Sequence, residues 1–81
     1  MQKCLSDFTP GERGIVLRVS ADGPTKRRLF DMGLTPGVEV SMRKTAPLGD
    51  PIELTVRGYE LSVRKAEAKA VLMEMEGGQV S

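Results

Sequence analysis

The chain has no histidine, no tryptophan, one cysteine and only three aromatic residues in 81. Each shortage closes off a class of function. Without imidazole there is no side chain that ordinarily titrates near neutral pH and no histidine metal ligand. A Ser–His or Cys–His nucleophile pair cannot be assembled. The lone Cys4 excludes an intrachain CxxC zinc site and an internal disulfide, which fits a reducing compartment. No apolar run approaches the roughly 20 residues that span a bilayer. The N-terminal "MQKCLSDFTPG" lacks the long apolar stretch of a signal peptide, so the expectation is a cytoplasmic protein. Phe8, Phe30 and Tyr59 are too few to make a stacking platform for single-stranded nucleic acid. A net charge of +1 supplies no general basic face for a duplex either. The glycines form neither GxGxxG nor a phosphate loop, since no Gly-Lys-Ser/Thr occurs. With carboxylates scattered singly, no catalytic constellation is expected.

What is present is the composition of a soluble globular domain, 40% apolar and 28% charged. A chain of this length makes one domain and buries roughly 60–65% of its unfolded surface. Its core must be aliphatic. "GIVLRVS" (Gly14–Ser20) is an apolar, β-branched run expected as a strand. "ADGP" breaks it, and "TKRRLFDMG" is expected as a short helix with Pro24 at its start and Thr25 as an alternative N-cap. Leu29 and Met32 share a helix face, and Gly33 supplies the left-handed stop. From Gly37 to Thr45, Val38, Val40 and Met42 alternate with polar residues as a half-buried strand. A loop over 46–51 leads to a hairpin. Ile52, Leu54 and Val56 alternate on one arm, Tyr59, Leu61 and Val63 on the other, and Gly58 lies in the turn. "KAEAKA" is a brief helical turn, "VLMEM" a closing strand and "EGGQVS" a loose tail.

These elements imply a mainly β fold of about five short antiparallel strands, with one short helix between the first and second long strands. Helices are too few for parallel crossovers. A small, strongly bent barrel satisfies the pattern and limits exposed strand edges. The single domain is expected over residues 1–76, with 77–81 as a flexible tail. An internal echo runs through it: "LSDFTPGERGIVLRV" and "LFDMGLTPGVEVSMR" both read Leu-x-Asp-apolar, then Thr-Pro-Gly, then a strand. Similar corners explain it, because each Pro-Gly suits a type II turn; a duplication is the alternative.

Two features bear on binding. "KRR" (Lys26–Arg28) is the densest basic run and is placed by this reading in the first helical turn, against the macrodipole. It is either an attraction for an acidic partner or a solvated face whose stems cover apolar surface. Met32, beside Phe30 and Leu34, is either core or part of an exposed patch of adaptable side chains. Cys4 with Asp7, or Asp50 with Glu53, offers too few convergent donors for a transition metal, so no metal site and no cofactor are expected.

Over nearly its whole length the chain resembles the ferrous iron transport protein A (FeoA) family. The matching stretches are "RRLFDMGLTPGVEV" and "APLGDPIELTVRGYELSVRKAEAKAV". The motif residues are Arg28-Leu29, Met32-Gly33-Leu34, Pro36-Gly37, Gly49-Asp50-Pro51-Ile52, Gly58 and Leu61-x-x-Arg64. The glycine-rich tail lies outside the pattern. The resemblance implies an SH3-like β-barrel that serves as a small cytosolic accessory to the bacterial ferrous iron permease. That permease is a membrane protein with a cytoplasmic GTP-binding domain. The chain would then be peripheral to the membrane through that partner, supporting or regulating Fe²⁺ uptake, and weak self-association is compatible with this. The fold also looks like the C-terminal domain of iron- and manganese-dependent repressors, without their DNA-binding part. The expected contact residues are Leu29, Met32, Leu34 and Pro36, rimmed by Lys26, Arg27 and Arg28. A second reading, from the family's association with transition metals, is a metal sensor or delivery protein; the missing histidine and the single cysteine weigh against it.

Overall fold

The computed structural model describes residues 2–45 and 50–75, with only the backbone of Thr45. Residues 46–49 of the loop expected over 46–51, and the loose tail, lie outside the described residues. The elements run β1 (Gln2–Cys4), a 3-10 turn (Leu5–Asp7), β2 (Arg13–Val19), α1 (Gly23–Asp31), β3 (Glu39–Thr45), β4 (Ile52–Val56), β5 (Tyr59–Val63), α2 (Lys65–Ala68) and β6 (Val71–Met75). One antiparallel sheet contains all six strands in the order β1-β6-β2-β3-β4-β5. The mainly β, SH3-like architecture holds, with one strand more than the sequence suggested. β1 escapes notice because its three residues, "QKC", carry no apolar alternation; they form a strand by pairing with β6.

The sheet wraps one core of aliphatic side chains. Leu5, Val16, Leu29, Leu34, Val40, Ile52, Leu54, Val71 and Met73 are all at most 1% exposed, and Phe8 is the one aromatic among the buried residues. No buried polar or charged residue occurs among the described residues. Each side chain of this kind contributes about 1.5–3 kcal/mol on burial. Tyr59 departs from the expected alternation. It is 76% exposed, although its partner across the hairpin, Val56, is buried; Leu61 is half-buried and on β5 only Val63 is fully covered.

The internal echo becomes geometry. Thr9 and Thr35 each accept from the residue three positions on, Glu12 (3.0 Å) and Val38 (3.1 Å), closing turns around Pro10-Gly11 and Pro36-Gly37. Gly11 and Gly37 take φ of 95° and 92°, the left-handed conformation of a type II corner. The Gly11 N–H donates to Met42 O (3.0 Å) and the Met42 N–H to Glu12 O (2.8 Å). In the other half, the Gly37 N–H donates to Val16 O (2.7 Å) and the Val16 N–H to Val38 O (2.9 Å). These four bonds interchange under a local two-fold axis through the Gly14–Val40 pair of the β2·β3 ladder. The bulges obey the same relation. One falls between Val16 and Arg18, the other between Met42 and Lys44. The axis also relates β6 to β4, since Met73 faces Val16 as Leu54 faces Met42. Gly37 and Val38 belong to the corner, which is why β3 begins at Glu39 rather than at Gly37.

Candidate partner-binding surface

The expected contact residues lie on α1 and the corner after it. The helix starts one residue earlier than the prolyl signal suggested. Asp22 is the N-cap, its Oδ1 accepting the Thr25 N–H at 2.9 Å, and Pro24 sits inside the first turn. Thr25 is thus the recipient of the cap and not the cap. That hydrogen bond from the Thr25 backbone holds the Asp22 carboxyl below its ordinary pKa. Because α1 begins at Gly23, the basic run is displaced from the positive end of the helix, and Arg28 falls in the last turn, where a cation is favoured. The expected macrodipole conflict is largely removed.

The C-terminus of α1 explains "LFDMGL". Gly33, at φ 101°, follows the C-cap Met32. The Leu34 N–H donates to Leu29 O (3.0 Å) and the Gly33 N–H to Phe30 O (2.9 Å), the paired bonds of a Schellman motif. Its usual apolar contact joins the residues at its two ends, and here Leu29 and Leu34 are both 0% exposed. This corrects the expected site: Leu29 and Leu34 are core residues under the surface, not contacts on it. Lys26, Arg27, Arg28 and Pro36 are exposed, and Met32 is half-buried. Lys26 lies over the Phe30 ring, 5.7 Å from its centroid, so its stem covers apolar surface one turn along.

Arg28 and Met32, one turn apart, line a cleft of about 250 Å³ whose other walls are Pro51, Ser62, Val63, Arg64 and Glu67. Glu67 is its most enclosed charge, with a side chain only 11% exposed. Its Oε2 is ion-paired with Arg28, and its Oε1 accepts the Arg64 backbone N–H at 3.1 Å. The pair ties α1 to α2, and loss of Arg28 alone would strand a carboxylate that has little access to water. Asp50 Oδ1 accepts the Lys65 N–H at 3.0 Å, fixing the start of α2 from the β4 side. Sequence reasoning missed Ser62, Arg64 and Glu67 as site residues. Arg64-x-x-Glu67 lacks the serine or threonine of an ordinary capping box, so its spacing carried no signal.

Among the described residues, no three of His, Cys, Asp and Glu converge to hold a metal ion. Cys4 is a half-buried free thiol on β1. The described lining of the cleft offers guanidinium groups, one paired carboxylate and apolar walls. Among the described residues no helix is long and apolar enough to cross a membrane.

Comparison with known proteins agrees with this architecture. Residues 3–75 match the family model described as the FeoA domain. The solution structure of a FeoA-like protein from Clostridium acetobutylicum is 34% identical, with a TM-score of 0.89 over 99% of this chain and 93% of that one. A zinc complex of FeoA from Stenotrophomonas maltophilia, described as a prokaryotic SH3 domain protein, is 29% identical, with a TM-score of 0.78 over 89% of each chain. A manganese-dependent transcriptional repressor shares the fold alone, at 17% identity and a TM-score of 0.85 over 91% of this chain and 41% of its own. In Porphyromonas gingivalis, an Fe(2+) transport protein A/Fe(2+) transporter FeoB fusion protein is 28% identical over 71 residues, 88% of this chain. The chain spans only 8% of that fusion protein's length. The match over residues 3–75, with the SH3-like sheet, establishes that this chain belongs to the FeoA domain family.

Proposed function

We propose that the chain is a cytosolic, non-enzymatic accessory that binds the cytoplasmic GTP-binding part of the ferrous iron permease and supports or regulates Fe²⁺ uptake. The observation that carries this is the Porphyromonas gingivalis fusion, in which a relative of the chain and the transporter are one polypeptide. Covalent linkage holds two partners at millimolar effective concentration, so a separate accessory must replace the linker with a contact surface. The surface supporting this reading comprises Lys26, Arg27, Arg28, Met32 and Pro36, held by the buried Leu29–Leu34 pair beneath. Iron enters this reading as the transporter's cargo.

The test is co-purification of the full chain with the full-length permease in detergent, with and without guanine nucleotide. Lys26→Glu with Arg27→Glu should weaken capture by about tenfold or more, as expected when rim charges steer association. Arg28 is left in place because it pairs with Glu67. Undiminished capture by the double variant would remove the basic run from the contact, and no capture by the unaltered chain would sink the accessory reading.

A further inference from the structure

The turn at Arg57-Gly58 determines which backbone groups of β5 face outward. Both residues have positive φ, 53° and 82°, the conformation of a type I′ hairpin. In such a hairpin the flanking residues, Val56 and Tyr59, form the first hydrogen-bonded pair, and bonded pairs then alternate along the ladder. Leu54 with Leu61 and Ile52 with Val63 are the next bonded pairs. The N–H and C=O of Glu60 and Ser62 therefore point away from β4. β5 is an edge of the sheet. Among the described residues no backbone hydrogen bond reaches Glu60 or Ser62 from the outer side.

Where β5 ends, Ser62 and Val63 line a cleft together with Arg28 and Met32 of α1 and with Arg64 and Glu67. A trough between an edge strand and a helix is the geometry that takes an extended peptide by strand addition, with main-chain bonds giving affinity and flanking side chains giving selectivity. The charge of the trough selects among such peptides. Among its described lining residues the one carboxylate, Glu67, is already committed to Arg28 and to the Arg64 backbone, and Glu60 on the edge strand is paired with Arg43. Arg64 is left in excess, and the exposed Lys26, Arg27 and Lys65 adjoin the two arginines in sequence. At the other end of the edge, Tyr59 stands 76% exposed, a broad side chain able to cover a strand laid alongside.

We propose that this groove receives an extended, acid-bearing segment of the partner as an added strand on β5, paired to the backbone of Glu60 and Ser62 and drawn in by Arg64 and the α1 cations. The proposal rests on the accessory reading above, in which that partner is the permease. The test is hydrogen-exchange mass spectrometry on the full chain, alone and with the full-length permease in detergent. Exchange across Tyr59–Val63 should slow by about tenfold or more in the complex, because an added strand protects amides that otherwise meet water. Ser62→Pro, which removes the outward donor without touching the β4 ladder, should weaken binding about tenfold, whereas Ser62→Ala should not. Rising NaCl should weaken binding further. A complex that forms with exchange at Tyr59–Val63 unchanged overturns the groove and leaves the accessory reading standing. Absence of any complex overturns both. The exchange measurement on the unaltered chain remains decisive even if Ser62→Pro does not fold.

Discussion

At the scale of single residues, the position with least latitude is Gly14. It lies on the local two-fold axis, opposite Val40, and pairs on its other side with Met75 of β6. The axis would place similar residues at both positions, yet one is glycine and the other a valine 0% exposed. Packing explains the difference. A Cβ on Gly14 would sit 2.4 Å from Glu74 O and 3.1 Å from Phe8 Cζ. The Phe8 ring already occupies the space that a side chain there would need, and the backbone carbonyl of β6 cannot swing aside as a flexible side chain could. Gly14→Ala should therefore cost about 1–3 kcal/mol, the usual penalty for overfilling a packed site. Urea denaturation checks this through a lower midpoint at unchanged slope. A loss below about 0.5 kcal/mol, the level of an ordinary surface change, would mean that β6 yields easily and is not closely held.

At the scale of elements, α1 combines what was legible with what was not. Gly33 as a left-handed stop, the Thr-Pro-Gly corners and the alternation of β3 and β4 were plain in the sequence, because each is fixed by local backbone chemistry. The burial of Leu29 and Leu34 was not. An apolar residue at a helix end reads the same whether it faces a partner or its own fold, and only the Schellman geometry decides. The candidate groove was less legible still. It is assembled from α1, β5 and α2, segments far apart in sequence, and no spacing rule connects Arg28 to Glu67. At its N-terminus, α1 depends on Asp22. The Thr25 N–H bond lowers this carboxyl's pKa in the folded state, so the unfolded chain binds the proton more readily. The cap's contribution is therefore present above the ordinary aspartate range and fades as pH falls through the lowered folded value. Asp22→Asn caps in either condition. Its stability relative to the unaltered chain should accordingly rise as pH is lowered through the acidic range, measured as the difference in urea midpoint. A difference independent of pH would show that the carboxylate bond contributes nothing to holding α1.

For the molecule as a whole, the two-fold arrangement and the open order of the sheet define a gradient of order from the centre to its edges. β2 and β3 are flanked on both sides, and the four corner bonds, from Gly11, Val16, Gly37 and Met42, extend their pairing past the regular ladder. β1 and β5 are edges. In the unbound chain the amides of Val16 and Met42, equivalent under the axis, should exchange slowest and within about tenfold of each other, opening only with the whole fold. The outward amides of Glu60 and Ser62 should exchange at least about a hundredfold faster, because an edge opens without disturbing the core. Residue-resolved hydrogen exchange by NMR reads both comparisons at once. Unequal protection at Val16 and Met42 would show that the halves are alike in geometry but not in stability. Protection at Glu60 and Ser62 as high as at the centre would show that β5 is closed in the unbound chain, leaving no edge for a partner strand. The function proposed here needs the opposite: a centre stable enough to hold the shape of the groove, and one edge that meets solvent until a partner covers it.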